Sequence, residues 1–91
     1  MKTFKDLEFI DRSLGSKQAK LFFENGFGVS VITGGYGYKN QPYELAVLYG
    51  DKSNFELHYE NEVSNGDVIG WLDSLEVTDL MIKVQNFKKT I

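Results

Sequence analysis

Ala19-Lys20-Leu21-Phe22-Phe23-Glu24-Asn25-Gly26-Phe27-Gly28-Val29-Ser30-Val31-Ile32-Thr33 is the stretch that decides the fold. Asn-Gly between two apolar runs is the strongest short hairpin signal, because a type I′ turn needs positive φ at both central residues and these two tolerate it best. The stretch therefore predicts a β-hairpin, Ala19 to Glu24 paired with Phe27 to Thr33, turning at Asn25-Gly26. In the second strand Phe27, Val29, Val31 and Thr33 point one way and Gly28, Ser30 and Ile32 the other, so the first set is the candidate core face.

Working outward, Tyr43 to Tyr49 alternates in the same manner, with Tyr43, Leu45, Val47 and Tyr49 set against Glu44, Ala46 and Leu48. The turn residues Gly50-Asp51-Lys52-Ser53-Asn54 return the chain into Phe55 to Tyr59. There Phe55, Leu57 and Tyr59 read as the buried face and Glu56 and His58 as the wet one. Val68-Ile69-Gly70-Trp71-Leu72 reads as a small edge strand or a packed connection, with Trp71 as a core anchor under the helix that follows. Asp73 as N-cap with Glu76 three residues on forms a capping box. Val77, Leu80, Met81, Val84 and Phe87 then recur at helical spacing, and Lys83, Lys88 and Lys89 sit where positive charge suits the helix dipole. At the N-terminus Phe4 to Ile10 reads as a short strand or an extended arm, with Leu7, Phe9 and Ile10 capping the core. The expected fold class is α+β: a four- to five-stranded antiparallel sheet, built as a meander, with one C-terminal α-helix packed on one face and residues 1–91 forming a single domain.

Composition narrows the function classes. The chain has 91 residues, 42% of them apolar, with seven Phe, five Tyr and one Trp, enough for one modest core. It has no cysteine, which removes disulfide frameworks, thiolate catalysis and Cys-ligated zinc together. No stretch approaches the roughly 18 to 20 apolar residues of a membrane span, and the first residues lack the apolar run of a secretory signal. A cytoplasmic location is expected. The net charge of −3 is unevenly spread: residues 1–39 carry six basic and four acidic side chains, 40–82 one basic and nine acidic, and 83–91 three basic. An acidic middle repels nucleic-acid phosphate and steers a basic partner.

The most unusual segment is Gly34-Gly35-Tyr36-Gly37-Tyr38-Lys39-Asn40-Gln41-Pro42-Tyr43, a glycine- and tyrosine-rich loop between two strands. Phosphate-cradling loops need a following helix and usually a Lys-Ser/Thr pair, and neither follows here. Bulky aromatics on a loop suit an interface, since tyrosine brings contact area with little entropy to lose and keeps a polar tip. Tyr36, Tyr38 and Lys39 are therefore candidate partner-binding residues, joined by the acidic side chains Glu56, Glu60, Glu62 and Asp67. His58, the sole histidine, has no serine, cysteine or second ligand in a plausible arrangement and reads as a solvent-facing residue beside Glu56 or Glu44. The spacing of Glu60, Glu62 and Asp67 does not follow the calcium-loop pattern. No catalytic, metal or cofactor site is expected.

Phe4-Lys5-Asp6-Leu7-Glu8-Phe9, the run Gln18 to Val31, Tyr43-Glu44-Leu45-Ala46-Val47-Leu48 and Asp67-Val68-Ile69-Gly70 together resemble a group of small accessory proteins encoded by tailed phages and prophages, a group without an established catalytic motif. The resemblance spans most of the chain. It implies an accessory phage protein acting in the host cytoplasm, an anti-defence protein being the leading expectation. Such a protein binds and blocks a host protein, such as a CRISPR effector or a defence nuclease, by occluding a basic nucleic-acid-binding surface, with no direct contact to nucleic acid or membrane. The alternatives are a homodimeric structural or replication accessory and, third, a binder of a nucleotide signal using Lys17, Lys20 and Lys39.

Overall fold

The computed structural model describes residues 1–12, 15–33, 42–58, 61, 63–64 and 68–88. A 3-10 turn at Phe4–Asp6 leads into strands β1 (Ile10–Asp11), β2 (Lys17–Phe22), β3 (Phe27–Thr33), β4 (Tyr43–Asp51), β5 (Asn54–Leu57) and β6 (Ile69–Leu72), followed by helix α1 (Ser74–Gln85). All strand pairs are antiparallel, in the order β1-β2-β3-β4. Both β5 and β6 lie along the far side of β4, β5 beside Leu48–Asp51 and β6 beside Tyr43–Leu45. The fold is thus α+β, with the expected meander running from β2 to β5 and a short strand added at each end of the chain path.

The core lies between the sheet and α1. Cross-strand rows Ala19–Val31–Leu45 and Leu21–Val29–Val47 face the helix, whose Val77, Met81 and Val84 are buried against them together with Leu72. The helix begins as its sequence dictates: the Asp73 carboxylate accepts from the Glu76 N–H at 2.8 Å, and the Glu76 side chain accepts from the Asp73 N–H at 3.0 Å. It ends at Gln85, so Phe87 reaches the core from beyond the last turn, stacking edge-on against Phe27 at 5.2 Å. Lys83 sits in the last turn, Lys88 follows the helix, and Lys89 lies outside the described residues.

The N-terminal segment is fastened to α1 through main-chain groups. The Phe4 N–H donates to Thr78 Oγ1, and Lys2 and Gln85 exchange two hydrogen bonds of 2.9 and 2.8 Å. Leu7 is buried and Phe9 packs on the core, whereas Ile10, expected to cap it, is 69% exposed on the edge strand β1. Among the described residues no helix is long and apolar enough to cross a membrane.

The β2–β3 turn differs from the expected type I′. Phe22 pairs with Gly28, the Phe23 N–H donates to the Phe27 carbonyl at 2.7 Å, and Glu24, Asn25 and Gly26 form a three-residue loop in which Gly26 alone has positive φ, 87°. A type I turn closed by a left-handed glycine is the usual three-residue hairpin connection. The Asn25 side chain explains the choice. Its Nδ2 donates to the carbonyls of Val84 (2.8 Å), Gln85 (3.2 Å) and Phe87 (3.2 Å), and its Oδ1 accepts from the Phe27 N–H at 3.1 Å. One amide thus closes the hairpin and satisfies carbonyls left over at the helix C-terminus.

Replacing Asn25 by Ala is expected to cost about 1–2 kcal/mol in urea unfolding, the usual cost of stranding part-buried polar groups. Asn25→Asp should cost more at neutral pH, because it sets a carboxylate against carbonyl oxygens at the negative end of the helix. The excess over Asn25→Ala should fade as the pH falls and the carboxyl takes up a proton.

Candidate functional site

The side of β4 occupied by β5 and β6 carries the unusual surface, and the β4–β5 turn creates it. Asp51 pairs with Asn54, leaving only Lys52 and Ser53 in the loop. The Asp51 Oδ1 accepts from the N–H groups of Ser53 (2.9 Å) and Asn54 (3.1 Å). These two main-chain donors, Ser53 first, hold the Asp51 carboxyl below its ordinary value of 3.8. Gly50 has φ 126°, and a β-carbon there would run into the Asn54 carbonyl and the Phe55 α-carbon, so no side chain fits.

This tight turn reverses the expected faces of β5. Had Tyr49 stood opposite Phe55 across a five-residue loop, Phe55 and Leu57 would have shared the core face with Tyr49. Instead Gly50 pairs with Phe55, Tyr49 with Glu56 and Leu48 with Leu57. A one-residue shift moves every side chain of a strand to the other face. Phe55 and Leu57 consequently lie on the face away from α1, 38% and 48% exposed, while Tyr59 lies outside the described residues.

His58 moves the other way. It is half-buried, edge-on to Phe27 at 5.5 Å and tilted against Tyr49 at 6.0 Å, not solvent-facing beside Glu56 or Glu44. Asn61 fixes it: Asn61 Oδ1 accepts from the Val63 and Ser64 N–H groups, which leaves its Nδ2 to donate to His58 Nδ1 at 3.1 Å and to the His58 carbonyl at 2.9 Å. His58 anchors the chain leaving β5.

The face away from α1 has a small core of its own. Phe22, Gly28, Leu48 and Leu57 form one continuous row across four strands. Leu48, set on the face opposite Leu45 and Val47 as its sequence position implies, is only 1% exposed, yet it stands apart from the cluster under the helix. The glycines make the space: a β-carbon at Gly28 would meet the Leu21 carbonyl at 2.6 Å and the Phe22 ring at 2.9 Å. Over this trough the rings of Phe22 and Phe55 meet at 5.3 Å, and Lys20 Nζ lies 4.9 Å from the Phe55 ring, a cation–π arrangement. The outer half of the patch, Phe55 and Leu57, remains open.

Trp71 adds a second exposed aromatic on the same side of β4. Tyr43 pairs with Leu72 and Leu45 with Ile69, so Gly70 and Trp71 together oppose the single residue Glu44, the arrangement of a β-bulge. Trp71 has φ 61° and is 51% exposed, not the core anchor that its place before the helix suggests. Left-handed backbone at a bulky residue costs on the order of 1–3 kcal/mol and is concentrated at functional sites.

Of the sequence-derived candidates, Glu56 is exposed on β5 with its side chain on the α1 side of the sheet, opposite Tyr49. Tyr36, Tyr38, Lys39, Glu60, Glu62 and Asp67 lie outside the described residues. Phe55, Leu57 and Trp71 were missed as surface groups, and Lys20, named only for a nucleotide signal, lies over the Phe55 ring. An Asp followed by Lys-Ser-Asn was the available signal for the tight turn, whereas nothing local announces the bulge at Trp71. A shallow cleft lined by Phe22, Phe23, Glu24 and Phe87 opens at the end of α1, where Asn25 Nδ2 and Gln85 Nε2 are already engaged by main-chain carbonyls. Among the described residues no group of three His, Cys, Asp or Glu side chains is placed to hold a metal ion. No protein-family model, curated protein or solved structure matches the chain.

The Asp51 carboxyl is expected to titrate below 3.8 in the folded protein. Its folded value is depressed, so its contribution to stability is complete above the unfolded value and is lost as the pH falls through the folded one. Urea unfolding of the wild type and Asp51→Asn as a function of pH checks this: the wild type's advantage should be constant at neutral pH and shrink only in the acid limb.

Proposed function

We propose that the chain is a non-enzymatic binding protein that attaches to a host protein and blocks it, in the manner of a phage accessory inhibitor of a defence nuclease or CRISPR effector. The observation that carries this reading is the exposure of Phe55, Leu57 and Trp71 along one side of β4. Phe55 and Leu57 together form an exposed apolar patch, and such patches mark contact sites. The few residues that carry most of the energy where protein surfaces meet are enriched in tryptophan and tyrosine.

Charge supports the choice of partner. Glu44 and Asp51 are exposed on β4 and Glu56 on β5, within a segment holding nine acidic and one basic side chain. Such a surface attracts a basic protein face and repels phosphate. The resemblance of the Gln18–Val31 and Tyr43–Leu48 runs to phage accessory proteins supplies the setting. Tyr36, Tyr38 and Lys39 extend the same recognition role on sequence grounds alone.

Affinity purification of the tagged protein from lysate of its bacterial host, read by mass spectrometry, tests the reading. The expected result is one host protein in near-equal amount, reduced at least tenfold with a Phe55→Ser, Trp71→Ser double variant whose circular dichroism is unchanged, and weakened by added salt. Recovery of the chain alone, or of phage proteins only, would contradict it.

A further inference from the structure

We propose that β5 is a docking edge for an extended segment of a partner protein, which adds to the sheet as a further strand carrying an apolar-basic-apolar triplet. This rests on the binding role proposed above and specifies its mode.

Hydrogen-bond parity carries the inference. The two-residue turn makes Asp51 and Asn54 a hydrogen-bonded pair, and in an antiparallel ladder such pairs alternate with unbonded ones. Glu56 therefore bonds to Tyr49, and His58 continues the series by donating its N–H to the Val47 carbonyl at 2.8 Å. The N–H and C=O groups of Phe55 and Leu57 must then point away from β4. Among the described residues no strand lies beyond β5. The two residues that direct main-chain donors and acceptors outward are also those whose apolar side chains are exposed. An added strand would satisfy both at once, with main-chain bonds supplying affinity and alternate side chains supplying specificity.

Glu56 determines which strand fits. In an antiparallel addition that engages the outward groups of Phe55 and Leu57, the partner residue between them stands opposite Glu56 in the unbonded pair, where α-carbons approach to about 4.5 Å. A Lys or Arg there meets the Glu56 carboxylate on the α1 side of the sheet. Its two neighbours fall beside Phe55 and Leu57 on the other side, where apolar residues extend the patch over Leu48.

The same geometry disfavours a second copy of the chain as occupant. Using all the outward groups of both copies requires Phe55 of each to pair with Leu57 of the other, which places Glu56 directly opposite its own counterpart. Like charges directly opposite are destabilising, and an inward-set charge is a common guard against self-pairing of edges. With Phe55 opposite itself, Leu57 would instead face Ser53, whose N–H is held by Asp51.

The test is selection from a display library of random twelve-residue peptides on the immobilised full chain, run in parallel on Glu56→Lys. The expected outcome is an enriched apolar-basic-apolar triplet on the wild type and apolar-acidic-apolar on Glu56→Lys. Binding of the enriched wild-type peptide should fall at least tenfold with Leu57→Pro, which deletes an outward N–H and no ladder bond, and stay within threefold with Leu57→Val. Failure to enrich a triplet, an identical triplet on both proteins, or equal binding by a folded Leu57→Pro would each overturn the proposal. So would concentration-dependent dimerisation of the wild type that Leu57→Pro abolishes. A host protein captured equally by wild type and Leu57→Pro would overturn strand addition and leave the binding role standing. A clean triplet reversal with no host protein captured would do the opposite.

Discussion

Side chains hold the β2–β3 and β4–β5 turns, and turn length fixes which face of the sheet the residues of these strands occupy. At the β2–β3 turn the Asn25 amide ties a three-residue loop to the end of α1, so Ala19 and Leu21 face the helix beside Val31 and Val29. At the β4–β5 turn the Asp51 carboxylate holds a two-residue loop, so Phe55 and Leu57 turn from the helix and Glu56 and His58 face it. Because strand side chains repeat every two residues, one residue more or less in either loop would invert these assignments. Core, second patch and outward main-chain groups all follow from that parity.

The strongly periodic parts of the sequence were legible because several signals agreed. Val29, Val31, Leu45 and Val47 alternate on adjacent strands and all are buried. The box formed by Asp73 and Glu76, together with the spacing of Val77, Met81 and Val84, located α1 and its buried stripe. Register was not legible, since Gly50-Asp51-Lys52-Ser53-Asn54 contains turn-forming residues throughout and composition does not say how many of them remain in the loop. The type I′ reading of Asn25-Gly26 failed for a tertiary reason: the asparagine side chain serves the helix end, a contact 59 residues away in sequence. Trp71 was misplaced because a bulge opposite Glu44 leaves no local signature. Of the candidate site only Glu56 falls within the described residues, and its meaning changed once Phe55 and Leu57 proved to flank it on the open face.

The surface on this side of β4 carries the exposed apolar groups on which the proposed binding role rests. Phe22 packs against Phe55, and Lys20 lies over the Phe55 ring, while Phe55 and Leu57 stay partly exposed, so the patch is half assembled and half open. Trp71 stands on backbone that costs free energy to hold, and the exposed carboxylates set the sign of the field around it. His58, which the sequence reads as solvent-facing, is instead a packing and hydrogen-bonding post at the end of β5.

Amide hydrogen exchange of the isolated protein, resolved residue by residue by NMR, tests the parity of β5 most directly. Slow exchange at Glu56 and His58 with fast exchange at Phe55 and Leu57 is the expected pattern, since only the first pair donates to β4. Protection of Phe55 and Leu57 with exposure of Glu56 and His58 would mean that the strand pairs one residue out of register, and the outward apolar edge would not exist.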